Sequence, residues 1–193
     1  MADLPNDMLE RIHELLAQAA GLPEPRAMSL ATADESGNPA VRTVLLKHVD
    51  QKGLTFFTNT TSRKGQHIAA NPFVALCMYF QESHQQLQVE GRVEGLSDEL
   101  VDRYWYSRPR ASRIGAWASR QSTTLQDRQQ LLERVARYEE KFADIDVPRP
   151  PFWSGYRVIP NAIEFWKGHP DRLNERTCYR LTDGEWVRFH RYP

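Results

Sequence analysis

Val41-Arg42-Thr43-Val44-Leu45-Leu46-Lys47-His48-Val49-Asp50-Gln51-Lys52-Gly53-Leu54-Thr55-Phe56-Phe57-Thr58-Asn59 is the stretch whose reading decides the fold. Val41 to Val49 is apolar and rich in β-branched residues, as a strand is. Asp50 to Gly53 is a turn cluster, and Leu54 to Asn59 reads as a second strand. A connection of four residues is too short to hold a crossover helix, so neighbouring strands here run antiparallel. The same grammar continues on both sides. Ala27 to Ala33 is apolar and closed by the turn cluster Asp34-Glu35-Ser36-Gly37-Asn38. Phe73 to Phe80 and Gln86 to Val93 are joined by a polar connection. Between them, Ser62 can cap a short helix that ends at Asn71-Pro72. About five strands with short turns predict an antiparallel sheet or barrel, not βαβ units.

Farther out the period changes. Met8, Leu9, Ile12, Leu15, Leu16 and Ala19 recur at helical spacing over 6–20, with Gly21 as a stop. The middle of the chain is helical over Ser97 to Tyr106, Arg113 to Arg120 and Leu125 to Phe142, followed by the stiff connector Val147-Pro148-Arg149-Pro150-Pro151. Strands return at Tyr156 to Val158 and Ala162 to Trp166. The chain ends in a hairpin, Tyr179 to Leu181 and Trp186 to His190, around Asp183-Gly184. Strand-rich ends around a helical middle predict one barrel completed by both ends. The expected class is mainly β with helices (α+β), in a single domain over 1–193.

Lys plus Arg and Asp plus Glu each number 25, so no bulk charge draws the chain to nucleic acid or to a membrane surface. Two cysteines, Cys77 and Cys178, make no disulfide framework and point to a reducing compartment. Cys77 sits in an apolar run and reads as a buried small hydrophobe. The first seven residues lack a basic segment and an apolar segment, and no apolar run approaches the roughly 20 residues of a spanning helix. A cytoplasmic protein is expected. None of the histidines, 13, 48, 67, 84, 169 and 190, has metal-ligand spacing, so no metal site is expected. G-x-G-x-x-G, Walker and G-x-S-x-G motifs are absent, which leaves NAD, ATP and hydrolase readings without support.

Four segments could carry chemistry. In Arg42 to Lys47, alternation sends Arg42, Val44 and Leu46 to one face and Thr43, Leu45 and Lys47 to the other. Its two cations either reach solvent at the strand ends or meet an anion. In Thr58 to Lys64, Arg63 and Lys64 fall in the first turn of the Ser62-capped helix, where cations disfavour the helix. A phosphate would compensate them; a solvated basic turn is the plainer reading. In Tyr104 to Arg113, Tyr104 and Arg108 share a face, and Pro109 turns the chain so that Ser112 can return. Two hydroxyls and a guanidinium make a plausible phosphate cradle. A nucleic-acid surface is the competing reading, but nothing elsewhere extends the patch. In Ile163 to Arg176, Arg172 and Arg176 follow an aromatic strand; an Arg beside Glu there reads most simply as a weak surface ion pair.

Together these segments resemble the pyridoxine/pyridoxamine 5'-phosphate oxidase family. The resemblance runs from about Leu4 to Pro193 and is carried by R-T-V-L-L-K, F-F-T-N-x-x-S-R-K, S-R-P-R-x-S-x-I-G-A-W-x-S-x-Q-S and E-F-W-x-G-x-x-x-R-L-N-E-R, in that order. It implies an FMN-binding split β-barrel, an antiparallel Greek-key-like barrel with peripheral helices. It also implies a homodimer with FMN at the subunit interface. FMN contacts would fall on Arg42, Thr43, Val44, Leu45, Leu46, Lys47, Phe57, Thr58, Arg63, Lys64, Gln86, Gln121, Ser122, Trp166 and Arg176. Lys47, Tyr104, Arg108 and Ser112 would meet the substrate phosphate, and Arg172 and Asn174 would lie against the substrate ring as the catalytic pair.

The implied reaction oxidises pyridoxamine or pyridoxine 5'-phosphate to pyridoxal 5'-phosphate. Dioxygen is the acceptor, and the products are hydrogen peroxide and, from the amine, ammonia. Many members have His where this chain has Asn174, and Asp where it has Glu175. Members often also carry a basic-aromatic N-terminal segment over the substrate, and this chain begins near where it would end. The expectation is weaker closure over substrate rather than weaker FMN binding. The competing readings are a phenazine-biosynthesis type FMN oxidase, disfavoured by the second phosphate cluster, and a non-catalytic flavin or B6 binding protein.

Overall fold

A computed structural model describes residues 2–21 and 23–193; Met1 and Leu22, which fall within the 1–7 and 1–193 readings above, lie outside the described residues. The order is α1 (Asn6–Gln18), β1 (Ala27–Ala33), β2 (Pro39–Leu45), β3 (His48–Asp50), β4 (Gly53–Asn59), α2 (Arg63–Ala70), β5 (Phe73–Phe80), β6 (Gln85–Gly95), α3 (Asp98–Ser107), α4 (Arg110–Ala118), α5 (Arg128–Lys141), β7 (Trp153–Lys167), β8 (Glu175–Thr182) and β9 (Glu185–His190). The strands form one sheet in the order β2-β1-β5-β6-β7-β4-β3, with β8 on β7 and β9 on β8. Every pairing is antiparallel. The sheet curls into a split barrel, and its two ends meet where the Lys47 N–H donates to the Thr55 carbonyl at 2.8 Å.

The continuous strand expected over Val41 to Val49 is two strands. Leu46 turns its side chain fully into the core, its N–H donates to the Arg26 carbonyl at 2.8 Å, and Lys47 bonds to β4. At this point the chain leaves its pairing with β1 and crosses to β4. The two strands expected at Tyr156–Val158 and Ala162–Trp166 are one, β7. Proline cannot donate to a ladder, which is why Pro160 suggests a break. A bulge absorbs it: Glu90 pairs with Ala162 and Gly91 with Pro160, so Asn161 is extra. Gly91 permits the bulge, since a Cβ there would stand 2.2 Å from the Ile159 carbonyl oxygen.

Helix α4 begins at Arg110, three residues before the expected start, because the Pro109 carbonyl accepts from Ser112 and Arg113 and so opens the first turn. Cys77 is half-buried rather than buried: β5 turns Val74, Leu76, Met78 and Phe80 to the core and the intervening residues away from it. The terminal hairpin is as expected, with Asp183 (φ 52°) and Gly184 (φ 85°) both left-handed, as a two-residue turn of matching twist requires.

Two cores result. The barrel core holds Leu30, Leu46, Phe56, Leu87 and Ile163, and α1 plugs one end with Met8, Ile12, Leu15 and Leu16. A second core lies between α3, α4, the 142–147 segment and the start of β7 around Trp105, whose ring N–H donates to the Val147 carbonyl at 2.9 Å. Trp153 belongs to this core and stacks on Phe57 of β4 at 5.3 Å, which joins the helices to the barrel. Phe56 is fully buried at the barrel centre. Phe56→Ala is expected to lower stability by about 3–5 kcal/mol, read as a lower urea midpoint at unchanged slope. A loss under about 1 kcal/mol would mean that the barrel core collapses around the void.

Candidate active site

A cavity of about 590 Å³ opens where the barrel meets the helices, within the size range of cofactor sites. Residues 43–45 and Lys47 form one wall, and Phe57, Thr58 and Asn59 of β4 another. Lys64 enters from α2, Tyr104 and Arg108 from the end of α3, and Ser112 from α4; Gln121 and Trp153 close the rim. Eleven of the residues named from sequence thus share one cavity: Thr43, Val44, Leu45, Lys47, Phe57, Thr58, Lys64, Tyr104, Arg108, Ser112 and Gln121.

Lys64 is buried at the start of α2, where Ser62 caps the helix by accepting from the Gly65 N–H at 3.4 Å. The Lys64 ammonium donates to Ser62 Oγ at 3.1 Å and to Gln121 Oε1 at 2.8 Å. Thr58 Oγ1 donates to the same Gln121 oxygen at 3.4 Å. Burial, and then the charge of Arg42, pull the Lys64 pKa down to about 8. Arg42 donates to the Leu30 carbonyl at 3.0 Å and to Thr32 Oγ1 at 2.7 Å; burial first, and then Arg63, hold its pKa below the usual guanidinium range. Arg63 lies 3.4 Å from His67 Nε2, and His67 Nδ1 lies 3.2 Å from Thr32 Oγ1, so these side chains form one run behind Lys64. Arg42 and Arg63 adjoin the cavity without lining it.

The second cation group is separate. Arg108 caps α3 with extended backbone (φ −76°, ψ 145°), as the following proline demands. Its guanidinium lies 4.9 Å from the Trp153 ring and 5.1 Å from Trp105, and Nη2 donates to the Ser112 carbonyl at 3.2 Å. Nη1 is buried with no partner, a costly state for a charged donor. Burial is also the main cause of its lowered pKa. Lys47 stands 5.7 Å from the Tyr104 ring, which stacks on Phe57 at 4.1 Å. Among the described residues, Arg42, Lys47, Arg63, Lys64 and Arg108 make no ion pair.

The remaining named residues are elsewhere. Leu46 is in the barrel core, so its side chain is not available to a ligand. Ser122 (φ 73°) lines a neighbouring hollow of about 430 Å³ with Arg134 and Arg137. Gln86, Trp166, Arg172, Asn174 and Arg176 lie at the far end of β7. Gln86 pairs with Trp166 and Trp166 with Arg176, so the three side chains form a row across β6, β7 and β8. Trp166 stands 13 residues after Trp153, roughly 40 Å along the strand at about 3.3 Å per residue. Asn174 Oδ1 accepts from the His169 N–H at 3.0 Å, and Arg172 is left-handed (φ 60°).

Arg176 does not pair with adjacent Glu175. It binds Glu164, buried two strand positions before Trp166, through Nε at 2.7 Å and Nη2 at 2.9 Å. The sequence reading passed over Glu164, and also Trp153, Asn59 and Ser119 of the cavity wall. A carboxylate inside the aromatic strand Ile163-Glu164-Phe165-Trp166 was the available signal, since a buried charge demands a partner.

The profile of the family described as pyridoxamine 5'-phosphate oxidase matches residues 16–142, and that of the pyridoxine 5'-phosphate oxidase C-terminal dimerisation region matches 153–193. The chain belongs to the pyridoxine/pyridoxamine 5'-phosphate oxidase family. It is an oxidoreductase, and the family implies a flavin cofactor. The pyridoxine/pyridoxamine 5'-phosphate oxidase of Cupriavidus taiwanensis is 52% identical over 168 residues, 87% of this chain and 79% of that protein. The Myxococcus xanthus protein of the same name is 46% identical over 192 residues, 98% and 93% of the two chains. Among solved structures, PhzG from Burkholderia lata, in complex with tetrahydrophenazine-1-carboxylic acid, superposes with a TM-score of 0.90 at 31% identity, covering 99% of this chain and 93% of PhzG. A pyridoxamine 5'-phosphate oxidase-related, FMN binding protein from Nostoc punctiforme (TM-score 0.78, 20% identity, 95% and 96% covered) shares the fold. Among the described residues no helix is long and apolar enough to cross a membrane, and no group of side chains is arranged to hold a metal ion.

Lys64 should titrate far below an ordinary lysine, with a midpoint near 8 in FMN-free protein followed by ¹³Cε NMR. The amine is charged below that value and neutral above it. Anion affinity is therefore expected to fall as the pH rises through the midpoint, by up to about tenfold per pH unit, and to stay flat in Lys64→Arg. A midpoint above about 10 would remove the burial argument.

Proposed function

We propose that this chain, as a cytoplasmic single-domain homodimer, binds FMN and oxidises pyridoxamine or pyridoxine 5'-phosphate to pyridoxal 5'-phosphate. The observation that carries the reading is the set of five cations without acidic partners, divided into two groups around one cavity. Two separate phosphates, one on the cofactor and one on the substrate, suit two such groups. When bound, FMN supplies two-electron oxidation of the C4' carbon, with dioxygen as final acceptor, hydrogen peroxide as product and ammonia released from the amine.

The chain's own residues bind and orient. Arg42, Arg63 and Lys64 hold the FMN phosphate; the burial of Arg42 and Lys64, and the repulsion that Arg63 adds to Arg42 and Arg42 to Lys64, are what an anion relieves. Residues 43–45, Lys47, Phe57, Thr58 and Gln121, with Ser122 from the neighbouring hollow, complete that half of the flavin site, and Leu46 offers it backbone only. Lys47, Tyr104, Arg108 and Ser112 take the substrate phosphate; all four line the cavity, and Arg108 brings to it a guanidinium with no acidic partner. Gln86, Trp166, Arg172, Asn174 and Arg176 come from the partner subunit. Their place at the other end of β7 supports this, as does the match of 153–193 to a dimerisation region. Arg172 and Asn174 lie against the substrate ring, where a fixed guanidinium stabilises developing negative charge. Asn174 orients by hydrogen bonding and does not titrate.

The likeness to PhzG favours one other reading, a flavin oxidase of an unphosphorylated tricyclic acid. Anaerobic mixing of FMN-loaded protein with pyridoxamine 5'-phosphate, with unphosphorylated pyridoxamine as control, separates the two. Flavin absorbance should bleach with the phosphate only and recover in air; no bleaching with either would move the substrate elsewhere. Arg108→Ala is expected to raise KM about tenfold or more while FMN stays bound. Loss of the flavin instead would reassign Arg108 to the cofactor. Arg172→Ala should lower kcat with little change in FMN affinity, and unchanged kcat/KM would remove it from the site.

A further inference from the structure

Glu164 is the only buried acid among the described residues, and the strand pairing that buries it does not need its charge. Apolar residues of similar volume often serve as well at such a place. Its carboxylate is nonetheless fully engaged. Oε1 accepts from Arg176 Nε at 2.7 Å; Oε2 accepts from Arg176 Nη2 at 2.9 Å, from the Cys178 thiol at 3.3 Å and from Arg191 at 3.4 Å. Burial pushes the carboxyl upward, but the Arg176 and Cys178 hydrogen bonds and the two guanidinium charges outweigh it, and it stays below the usual range. Burial first and the carboxylate second drive the Cys178 thiol up to about 11, so it remains a donor.

The geometry has a direction. Glu164 and Cys178 are directly paired across β7 and β8, two positions along from the paired Trp166 and Arg176 and so on the same face. Arg176 is thereby clamped in fork-to-fork geometry in the row with Trp166 and Gln86. Its Nη1 donates to the Tyr192 carbonyl at 3.2 Å. Three of the five guanidinium N–H groups are therefore held by the chain, and two remain for a ligand.

We propose that Glu164 is a positioning residue for the flavin site, acting through Arg176 by fixing the plane and direction of its guanidinium, with the Cys178 thiol and Arg191 holding the carboxylate in turn. This rests on the reading that Arg176 contacts FMN. A lone arginine on a strand samples many rotamers, and holding it in one before the ligand arrives removes an ordering cost from binding.

The test is a double-mutant cycle on FMN affinity, read by flavin fluorescence quenching in the apo-protein of wild type, Glu164→Gln, Arg176→Gln and the double variant. Glu164→Gln is expected to weaken FMN binding about tenfold, Arg176→Gln at least as much, and the double variant no more than Arg176→Gln alone. Damage to the fold alone would weaken binding equally in both backgrounds. Additive losses, or an unchanged affinity in Glu164→Gln while Arg176→Gln binds weakly, would overturn the role of Glu164 and leave Arg176 in the flavin site. Unchanged affinity in Arg176→Gln would instead overturn the flavin assignment of Arg176, and the proposal with it. Glu164→Asp, which keeps the charge but shortens the reach by about 1.5 Å, replaces Glu164→Gln in the cycle if the latter does not fold. It carries the same expectation of a loss that disappears in the Arg176→Gln background. Cys178→Ser keeps a donor to the carboxylate and is expected to bind FMN as wild type does.

Discussion

The pairing of β7 with three other strands is the constraint on which the rest of the structure depends. Its outer end pairs with β4 and closes the barrel, its inner end pairs with β8, and β6 follows it along most of its length. The bulge at Asn161, opposite Glu90-Gly91, lets one strand do both by bending where its outer neighbour changes. Trp153 at one end is part of the cavity wall, and Trp166 at the other belongs to the row with Gln86 and Arg176. The two groups of site residues are thus held rigidly, and they are held apart.

Charge is sorted within this frame. The chain has as many acids as bases. The pairing is uneven: Arg113 meets Asp146, Arg149 meets Asp98 and Asp102, Arg157 meets Asp50, and Arg176 meets Glu164. Three of these arginines, Arg113, Arg149 and Arg157, pin the helical segment and β7 in place, and the fourth, Arg176, lies beside Trp166. Lys47, Lys64 and Arg108 face the cavity with no such partners, and Arg42 and Arg63 stand behind them. Arg42, Lys64 and Arg108 carry a desolvation cost that no carboxylate offsets, so an entering anion would replace a cost rather than an existing bond.

Local physics was legible in the sequence. Period and turn chemistry placed α1, the Ser62-capped helix, β5, β6 and the Asp183-Gly184 hairpin, because each depends on side chains a few residues apart. Pro109 correctly marked the extended backbone of Arg108. The motifs named eleven residues of one cavity before any fold was known.

Where residues distant in the chain meet, only the tertiary structure decided. Leu46 sits in the motif R-T-V-L-L-K, where the sequence suggests a ligand contact, yet it is core, because the strand breaks there to reach β4. Pro160 signals a strand end, yet the strand continues, because a bulge opposite Gly91 removes the need for its missing N–H. Glu175 beside Arg176 looks like its partner, yet Glu164 across the ladder is, because antiparallel register brings residues 12 apart into contact. Propensity, capping and alternation act over a turn or a strand and so can be read in order. Register, burial and the choice of ion-pair partner are set by the whole sheet, and no local stretch of sequence contains them.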